Sequence, residues 1–453
     1  MSEEYVPSEV QENLVTLGLE KRKMNWFVVP GGGKTSCALT VLTLASAVYG
    51  VGKALVLMPK SVLDQRTWQN EIAKWDHTKH LTCNMIAGDP HERLYRLKKP
   101  AHLYLMSYTS LRWLVETLRP WPFDFVVADE SDELRNAGTK MFKAFRRVQS
   151  QIQWYFNLTG TPTPNGILNL WSQQFMVDGG TRLESFPSHF LNKYTHIIYG
   201  KYKRANNVGA EEQILSRIAD VTVSVTKEQV KQTPVDVIDV DIPLSAPERQ
   251  AYEQLKKKAV LMLQGNGVIT SVNAAAATTK LRQFCSGAVY ANNELTGETF
   301  LHHVSDTRIT RLKELVSTLS TPVIIGYSYI HELERILRAL PHAQKMRDIS
   351  NVERVWAEGQ VRVMLIQYGS GSRGLNLQLG GHTFILYSPT WSLAAYEQLI
   401  ARLARRGQKN TVKVFRFFSE DTIEVAMHQR LTDRASVQDT AREYFKLPVM
   451  VPR

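Results

Sequence analysis

Cysteine is scarce in this chain: three in 453 residues, Cys37, Cys83 and Cys285, far apart and without Cys-x-x-Cys spacing. That excludes a disulfide framework and gives no support to a zinc site, so reduced thiols in or near the core are expected. Long apolar runs are also missing. The longest uncharged stretch, Ser36–Gly52, is rich in Thr, Ser, Ala and Gly, which suits a core helix better than a membrane span. The opening Met1-Ser-Glu-Glu-Tyr-Val-Pro is acidic and has no apolar h-region, so a cytoplasmic protein is expected, neither secreted nor membrane-bound. There is no heptad run, short-period repeat or low-complexity tract. A Lys/Arg block is absent too, yet 55 Lys+Arg against 43 Asp+Glu give a net charge of +12, a surplus that favours polyanions.

What the chain does have is 43% apolar residues arranged as alternating strands and helices, the pattern of parallel sheets with helices on both faces. Strands are expected at Trp26–Val29, Ala54–Met58, His102–Ser107, Phe125–Ala128 and Trp154–Leu158. A second set is expected at Pro322–Gly326, Val361–Ile366, His382–Tyr387 and Val412–Phe417. Between strands, Val62–Trp75 reads as one helix, with Trp68, Ile72 and Trp75 on one face. The rhythm fails from about Phe186 to Val235, where Lys201-Tyr-Lys-Arg204 and Asn206-Asn207-Val-Gly209 lie and Thr233-Pro234 closes the segment. A helix over Ala246–Leu263 then opens behind Ser245. The expected organisation is an N-terminal lobe over 1–235, with a helical and basic insertion over 186–235, and a C-terminal lobe over 236–453.

Chemistry is concentrated in two places. In Pro30-Gly31-Gly32-Gly33-Lys34-Thr35 a short apolar strand runs into three glycines and then into the uncharged helix that begins at Ser36. Such a loop points backbone N–H groups inward and puts phosphate on a helix N-terminus, with Lys34 neutralising oxygens and Thr35 holding Mg²⁺. Ser36 extends the same cradle. The pattern is incomplete, since Val28 stands where its first glycine belongs, and a plain glycine turn is the alternative. Further on, the apolar run Phe123–Ala128 ends in Asp129-Glu130-Ser131-Asp132. A buried strand delivering two carboxylates suits Mg²⁺ at Asp129 and an attacking water at Glu130, with a solvated acidic turn as the alternative.

The order of these and later motifs resembles Snf-type ATPases, the double-stranded-DNA translocase branch of helicase superfamily two, over nearly the whole length. Met58-Pro59-Lys60-Ser61 with Trp68, Glu71 and Trp75 is similar to that family's second motif. Asp129-Glu130-Ser131-Asp132 followed by Arg135-Asn136 resembles its DEAH box, and Leu158-Thr159-Gly160-Thr161-Pro162, with Asn165, Leu170 and Trp171, resembles its third motif. Leu281-Arg282-Gln283 fits a signature of the second half. Gly374-Leu375-Asn376-Leu377-Gln378, Trp391, and Gln398 with Arg402, Arg405, Gly407 and Gln408 fit the fifth and sixth motifs.

The resemblance implies two RecA-like lobes with ATP in a cleft between them, Mg²⁺ as cofactor and duplex or branched DNA as partner. Arg402 and Arg405, read as sharing one helix face, would stabilise the γ-phosphoryl charge, and Gly374 and Gln398 would join Gly31, Gly32 and Gly33 around the nucleotide. Lys60, Ser61, Thr109, Ser110, Tyr327, Ser370 and Arg373 would contact DNA phosphates. Asp132, Thr159, Gly160, Thr161 and Asn376 would couple hydrolysis to movement. Gln11 is a candidate adenine-sensing glutamine. Two departures stand out: Pro30 removes a backbone donor beside the phosphates, and Asp132 replaces the DEAH histidine, so it can accept a hydrogen bond but not donate one when ionised. The expected activity is a DNA-stimulated ATPase, of phage or bacterial type and monomeric, that translocates on or remodels duplex DNA in replication, recombination or repair. A strand-separating or branch-migrating helicase and an ATP-gated DNA clamp with weak hydrolysis are the alternatives.

Overall fold

The computed structural model describes residues 2–163, 166–198, 204–230, 233–264, 271–292, 296, 298–368, 375–405, 407–429 and 432–433. It forms two compact units, Met1–Gln232 and Thr233–Asp433. Each is built around a parallel sheet, and each is a RecA-like lobe in the sense the motifs imply.

In the first unit the chain runs through β1 (Lys23–Val28), β2 (Ala54–Met58), β3 (Cys83–Ile86), β4 (Leu103–Ser107), β5 (Phe125–Asp129) and β6 (Trp154–Thr159). A hairpin of β7 (Thr195–Ile197) and β8 (Arg204–Asn206) precedes β9 (Thr222–Val225). The sheet order is β3-β4-β2-β5-β6-β1-β9. Alternate residues of each central strand enter different cores. Leu55, Leu57, Tyr104, Met106, Val126 and Ala128 join one cluster, while Ala54, Val56, Met58, Leu105, Phe125 and Val127 join another. This period-two alternation with both faces apolar is the signature of a sheet covered by helices on both sides. The second cluster is closed by α1 (Glu9–Lys21), α2 (Lys34–Tyr49), α3 (Lys60–Asp64) and α4 (Thr67–Lys74), which contribute Leu14, Leu39, Leu63 and Trp68 among others.

The second unit repeats the plan. β10 (Val235–Asp241) is followed by the hairpin β11 (Ala288–Asn292) and β12 (Thr299–His303), then β13 (Val323–Tyr327), β14 (Gln344–Lys345), β15 (Val363–Gln367), β16 (Thr383–Leu386) and β17 (Val412–Phe418). Its sheet has the order β10-β17-β16-β13-β15-β14. Val323, Ile325, Val363 and Leu365 face one core, and Ile324, Met364, Ile366 and Phe384 face the other.

Two sequence expectations need correction. The single helix over Val62–Trp75 is two helices, α3 and α4, because Arg66 takes a left-handed conformation at φ 55° and ends the first run. Strands β3, β7 to β12 and β14 were not expected. β10 lies at the sheet edge and leaves Val237 and Ile238 exposed, and β3 buries only Ile86 fully, so neither presents the double-sided apolar run that marks a central strand. Among the described residues, no helix is long and apolar enough to cross a membrane.

Candidate nucleotide and metal site

The phosphate loop begins where β1 ends. Gly32 N–H donates to the Val29 carbonyl at 3.1 Å, a tight turn that delivers Gly33 in the left-handed region at φ 85° as the cap of α2. Any side chain at Gly33 would be strained there and would meet the Gln11 amide, since a Cβ would sit 2.1 Å from Nε2. Gln11 therefore rests on the loop itself. Lys34 Nζ donates to the Val28 carbonyl at 2.9 Å, and Ser36 Oγ to the Gly33 carbonyl at 2.9 Å. Thr35 lies in the first turn of α2, beside Lys34.

Strand register gathers the other motifs at the same end of the sheet. Phe27 pairs with Thr159, Leu158 with Asp129, Leu57 with Ala128, and Met58 with Ser107. The phosphate loop, the carboxylates, the Thr159–Pro162 turn, Lys60 and Thr109 thus all follow carboxyl ends of neighbouring parallel strands, where α/β sheets bind ligands.

Asp129 is buried at the end of β5. Trp68 Nε1 donates to its Oδ2 at 2.9 Å and Glu130 N–H to its Oδ1 at 3.1 Å, while the Tyr108 hydroxyl donates to its main-chain carbonyl at 2.9 Å. Burial, with the adjacent Glu130 charge second, pushes the Asp129 carboxyl up to about 6; the Trp68 hydrogen bond and Lys34 act the other way. A buried carboxylate crowded by another negative charge is an arrangement that a divalent cation relieves, so the residues fit Mg²⁺. Glu130 itself has φ 51°, a left-handed conformation costing about 1–3 kcal/mol in a non-glycine residue, of the kind that recurs at active sites.

The coupling candidates are interlocked. Gly160 packs against the phosphate loop: a Cβ there would lie 3.0 Å from Pro30 Cδ and 3.4 Å from the Val28 carbonyl. Thr161 N–H donates to Thr159 Oγ1 at 3.0 Å. Asp132 is buried and pairs with Arg135 at 3.6 Å, so the carboxylate in the DEAH histidine's place has an arginine partner. Gln173, which the sequence gave no reason to single out, bridges the two motifs. It accepts from Ser131 Oγ at 2.9 Å and donates to the Pro162 carbonyl at 2.9 Å.

Lys60 and Thr109 are exposed, Ser61 is half-buried and Ser110 is buried. In the second unit Tyr327 is a correction: it is only 4% exposed and packed in the core, so its side chain is not available to DNA. Its neighbour Ser328 is half-buried and accepts from Arg282 at 3.2 Å. Arg402 and Arg405 do not share a helix face, because that helix, Leu393–Leu403, ends before Arg405. They converge nonetheless on one segment: buried Arg402 donates to the Leu375 carbonyl at 3.2 Å, and Arg405 to the Asn376 side-chain oxygen. Gln398 is buried on the same helix, and Gln408 donates to the Gln378 carbonyl at 2.8 Å. Asn165, Lys201–Lys203, Ser370, Arg373, Gly374 and Arg406 lie outside the described residues.

Residues 27–288 match the model of the SNF2-related domain. Protein p41 of Acyrthosiphon pisum secondary endosymbiont phage 1 is 31% identical, over 98% of this chain and 99% of its own length. An uncharacterized ATP-dependent helicase of Mycoplasma genitalium is 24% identical over 92% of this chain, and the chicken DNA repair and recombination protein RAD54-like is 22% identical over 85%. The chain spans 40% and 59% of the length of these last two. With a phosphate loop, paired carboxylates and the Thr159–Pro162 turn assembled on one strand edge, the chain belongs to the SNF2-related family of ATP-hydrolysing enzymes.

Proposed function

We propose that the chain is a DNA-stimulated ATPase that translocates on or remodels double-stranded DNA in replication, recombination or repair. The observation that supports this reading is the shared carboxyl edge of the sheet: Asp129-Glu130 leave β5 next to β2, which carries Lys60, with Thr109 on β4 one strand further, and the phosphate loop follows β1 at the same edge. The carboxylates and Lys60 thereby leave adjacent strands, and Thr109 leaves the next one. The names of the Mycoplasma and chicken relatives support ATP dependence and a role on DNA.

In the proposed reaction Lys34 leaves the Val28 carbonyl to neutralise the β/γ oxygens of ATP, and Glu130 orients and deprotonates the attacking water. Bound Mg²⁺, held by Asp129 and Thr35, would supply charge neutralisation between the phosphates. Arg402 and Arg405 are assigned to the charge that develops on the γ-phosphoryl group. Contacts to DNA are to phosphates, because a translocase must ignore sequence, so binding weakens steeply with salt. The test compares ATPase rates with duplex DNA, single-stranded DNA, RNA and no nucleic acid. Duplex should stimulate most. A preference for RNA, or no response to any nucleic acid, would overturn the reading.

A further inference from the structure

The two loops that offer Lys60 and Thr109 have a second property in common. Each is followed or preceded by an aromatic side chain whose only polar atom reaches Asp129: Trp68, eight residues after Lys60, and Tyr108, directly before Thr109. Behind Lys60 and Ser61 on α3, the chain turns at Arg66 and α4 brings Trp68 inward, where its indole N–H meets Asp129 Oδ2 at 2.9 Å. Beside Thr109, buried Tyr108 turns the opposite way and its hydroxyl meets the Asp129 carbonyl at 2.9 Å. One donor fixes the rotation of the carboxylate and the other fixes the backbone that carries it. Neither ring is required for hydrophobic burial to end in a polar contact, and both hydrogen bonds span residues far apart in sequence, 61 and 21 positions.

We propose that Trp68 and Tyr108 are positioning residues through which occupancy of the duplex surface at Lys60 and Thr109 sets the carboxylate of Asp129 for the metal–nucleotide complex. This rests on the function proposed above. A phosphate held by Lys60 or Thr109 fixes the α3 and post-β4 segments. Each segment is tied to its ring through core-packed neighbours, Leu63 and Ile72 on either side of Trp68 and Leu111 after Tyr108, so a constraint at the exposed end is passed to the ring. The left-handed Arg66 is the one backbone departure between the exposed and the buried part of the first segment. DNA stimulation in this chain therefore acts on ground-state binding of the metal–nucleotide complex as well as on the chemical step.

The test uses the full chain, Mg²⁺ with a non-hydrolysable ATP analogue, and a short blunt duplex. Calorimetry measures affinity for the Mg²⁺–analogue complex with and without duplex. Fluorescence anisotropy measures duplex affinity, and thermal unfolding reports the fold. Wild type should bind the complex roughly fivefold or more tighter with duplex present. Trp68→Phe and Tyr108→Phe, which keep the rings and delete the donors, should reduce that ratio to below about twofold while duplex affinity measured without nucleotide stays unchanged. If Trp68→Phe disturbs the fold, Tyr108→Phe, which removes one oxygen, decides alone. Ratios equal to wild type in the folded variants would overturn the proposal. A wild type whose ATPase responds to duplex but whose metal–nucleotide affinity does not would overturn it while sparing the proposed function. A wild type with no DNA response would remove both.

Discussion

Asp129→Asn should stabilise the metal-free protein at neutral pH while abolishing its chemistry. The reasoning starts from the raised carboxyl. A group whose folded value lies above its unfolded one lends its stability fully below the unfolded value and loses it as pH rises through the folded value. For Asp129 that window runs from 3.8 to about 6. Above it, the folded protein holds an ionised carboxylate against burial and against Glu130. At about 1.4 kcal/mol per pH unit, the rise from 3.8 to about 6 corresponds to a penalty of about 3 kcal/mol at pH 7.5, falling to roughly half of that at pH 5.0. Asparagine removes that penalty but has one oxygen for two donors, Trp68 Nε1 and Glu130 N–H, so one buried donor is left unpaired at a cost of about 1 kcal/mol or more. The net gain is about 1–2 kcal/mol at pH 7.5 and near zero at pH 5.0.

For a unit of this size such a gain raises the melting temperature by about 3–6 °C. The assay is thermal unfolding in chelator at both pH values, repeated at pH 7.5 with Mg²⁺ and ATP. In chelator the variant should melt higher at pH 7.5 and level with wild type at pH 5.0. With Mg²⁺ and ATP the order should reverse, because only wild type gains from binding. A variant less stable than wild type at pH 7.5 in chelator would refute the reasoning. So would a gain of equal size at both pH values, since no titrating carboxylate would then lie behind it.

Lys34→Ala should abolish ATP hydrolysis with an unchanged circular dichroism spectrum, and Glu130→Gln should keep Mg²⁺ and ATP binding by calorimetry while stalling turnover; loss of ATP binding in the latter would reverse the roles given to the two carboxylates. Arg405→Ala should lower kcat by about 10³-fold with ATP affinity and urea midpoint retained, whereas Arg402→Ala should lower both kcat and the midpoint, because its guanidinium is buried against the Leu375 carbonyl. Equal midpoints for the two arginine variants would contradict their different settings.

How much of this was legible in the sequence follows from how each feature is encoded. The central strands β2, β4, β5 and β6 were readable because both of their faces are buried, so each is a continuous apolar run. The phosphate loop and the carboxylates were readable because local backbone geometry demands particular residues in a row: glycine at φ 85° in Gly33, acids at a strand end in Asp129 and Glu130. The break at Arg66 was not, since an arginine in the left-handed region has no sequence signature, and without that break Trp68, though part of the second motif, gives no sign that its indole turns to Asp129. The arginines erred in the opposite direction. Spacing by three suggested a common face, but the helix stops at Leu403, and what brings Arg402 and Arg405 together is their shared target, Leu375 and Asn376.

The part of the site that stayed hidden is the part made of long-range hydrogen bonds. Trp68 to Asp129, Tyr108 to the Asp129 carbonyl and Gln173 between Ser131 and Pro162 each join residues that only the strand order β4-β2-β5-β6 brings side by side. A motif identifies a charge that must be present; it does not identify the neutral donors that fix where that charge points. In this chain those donors come from the two loops nearest the expected DNA surface and from the helix behind the third motif. The residues proposed to hold the chemistry are thus local in sequence, and the donors proposed to position Asp129 are distributed, which is why single substitutions such as Tyr108→Phe, which removes one oxygen beside a candidate DNA contact, are the sharpest probes of how nucleotide and DNA are coupled.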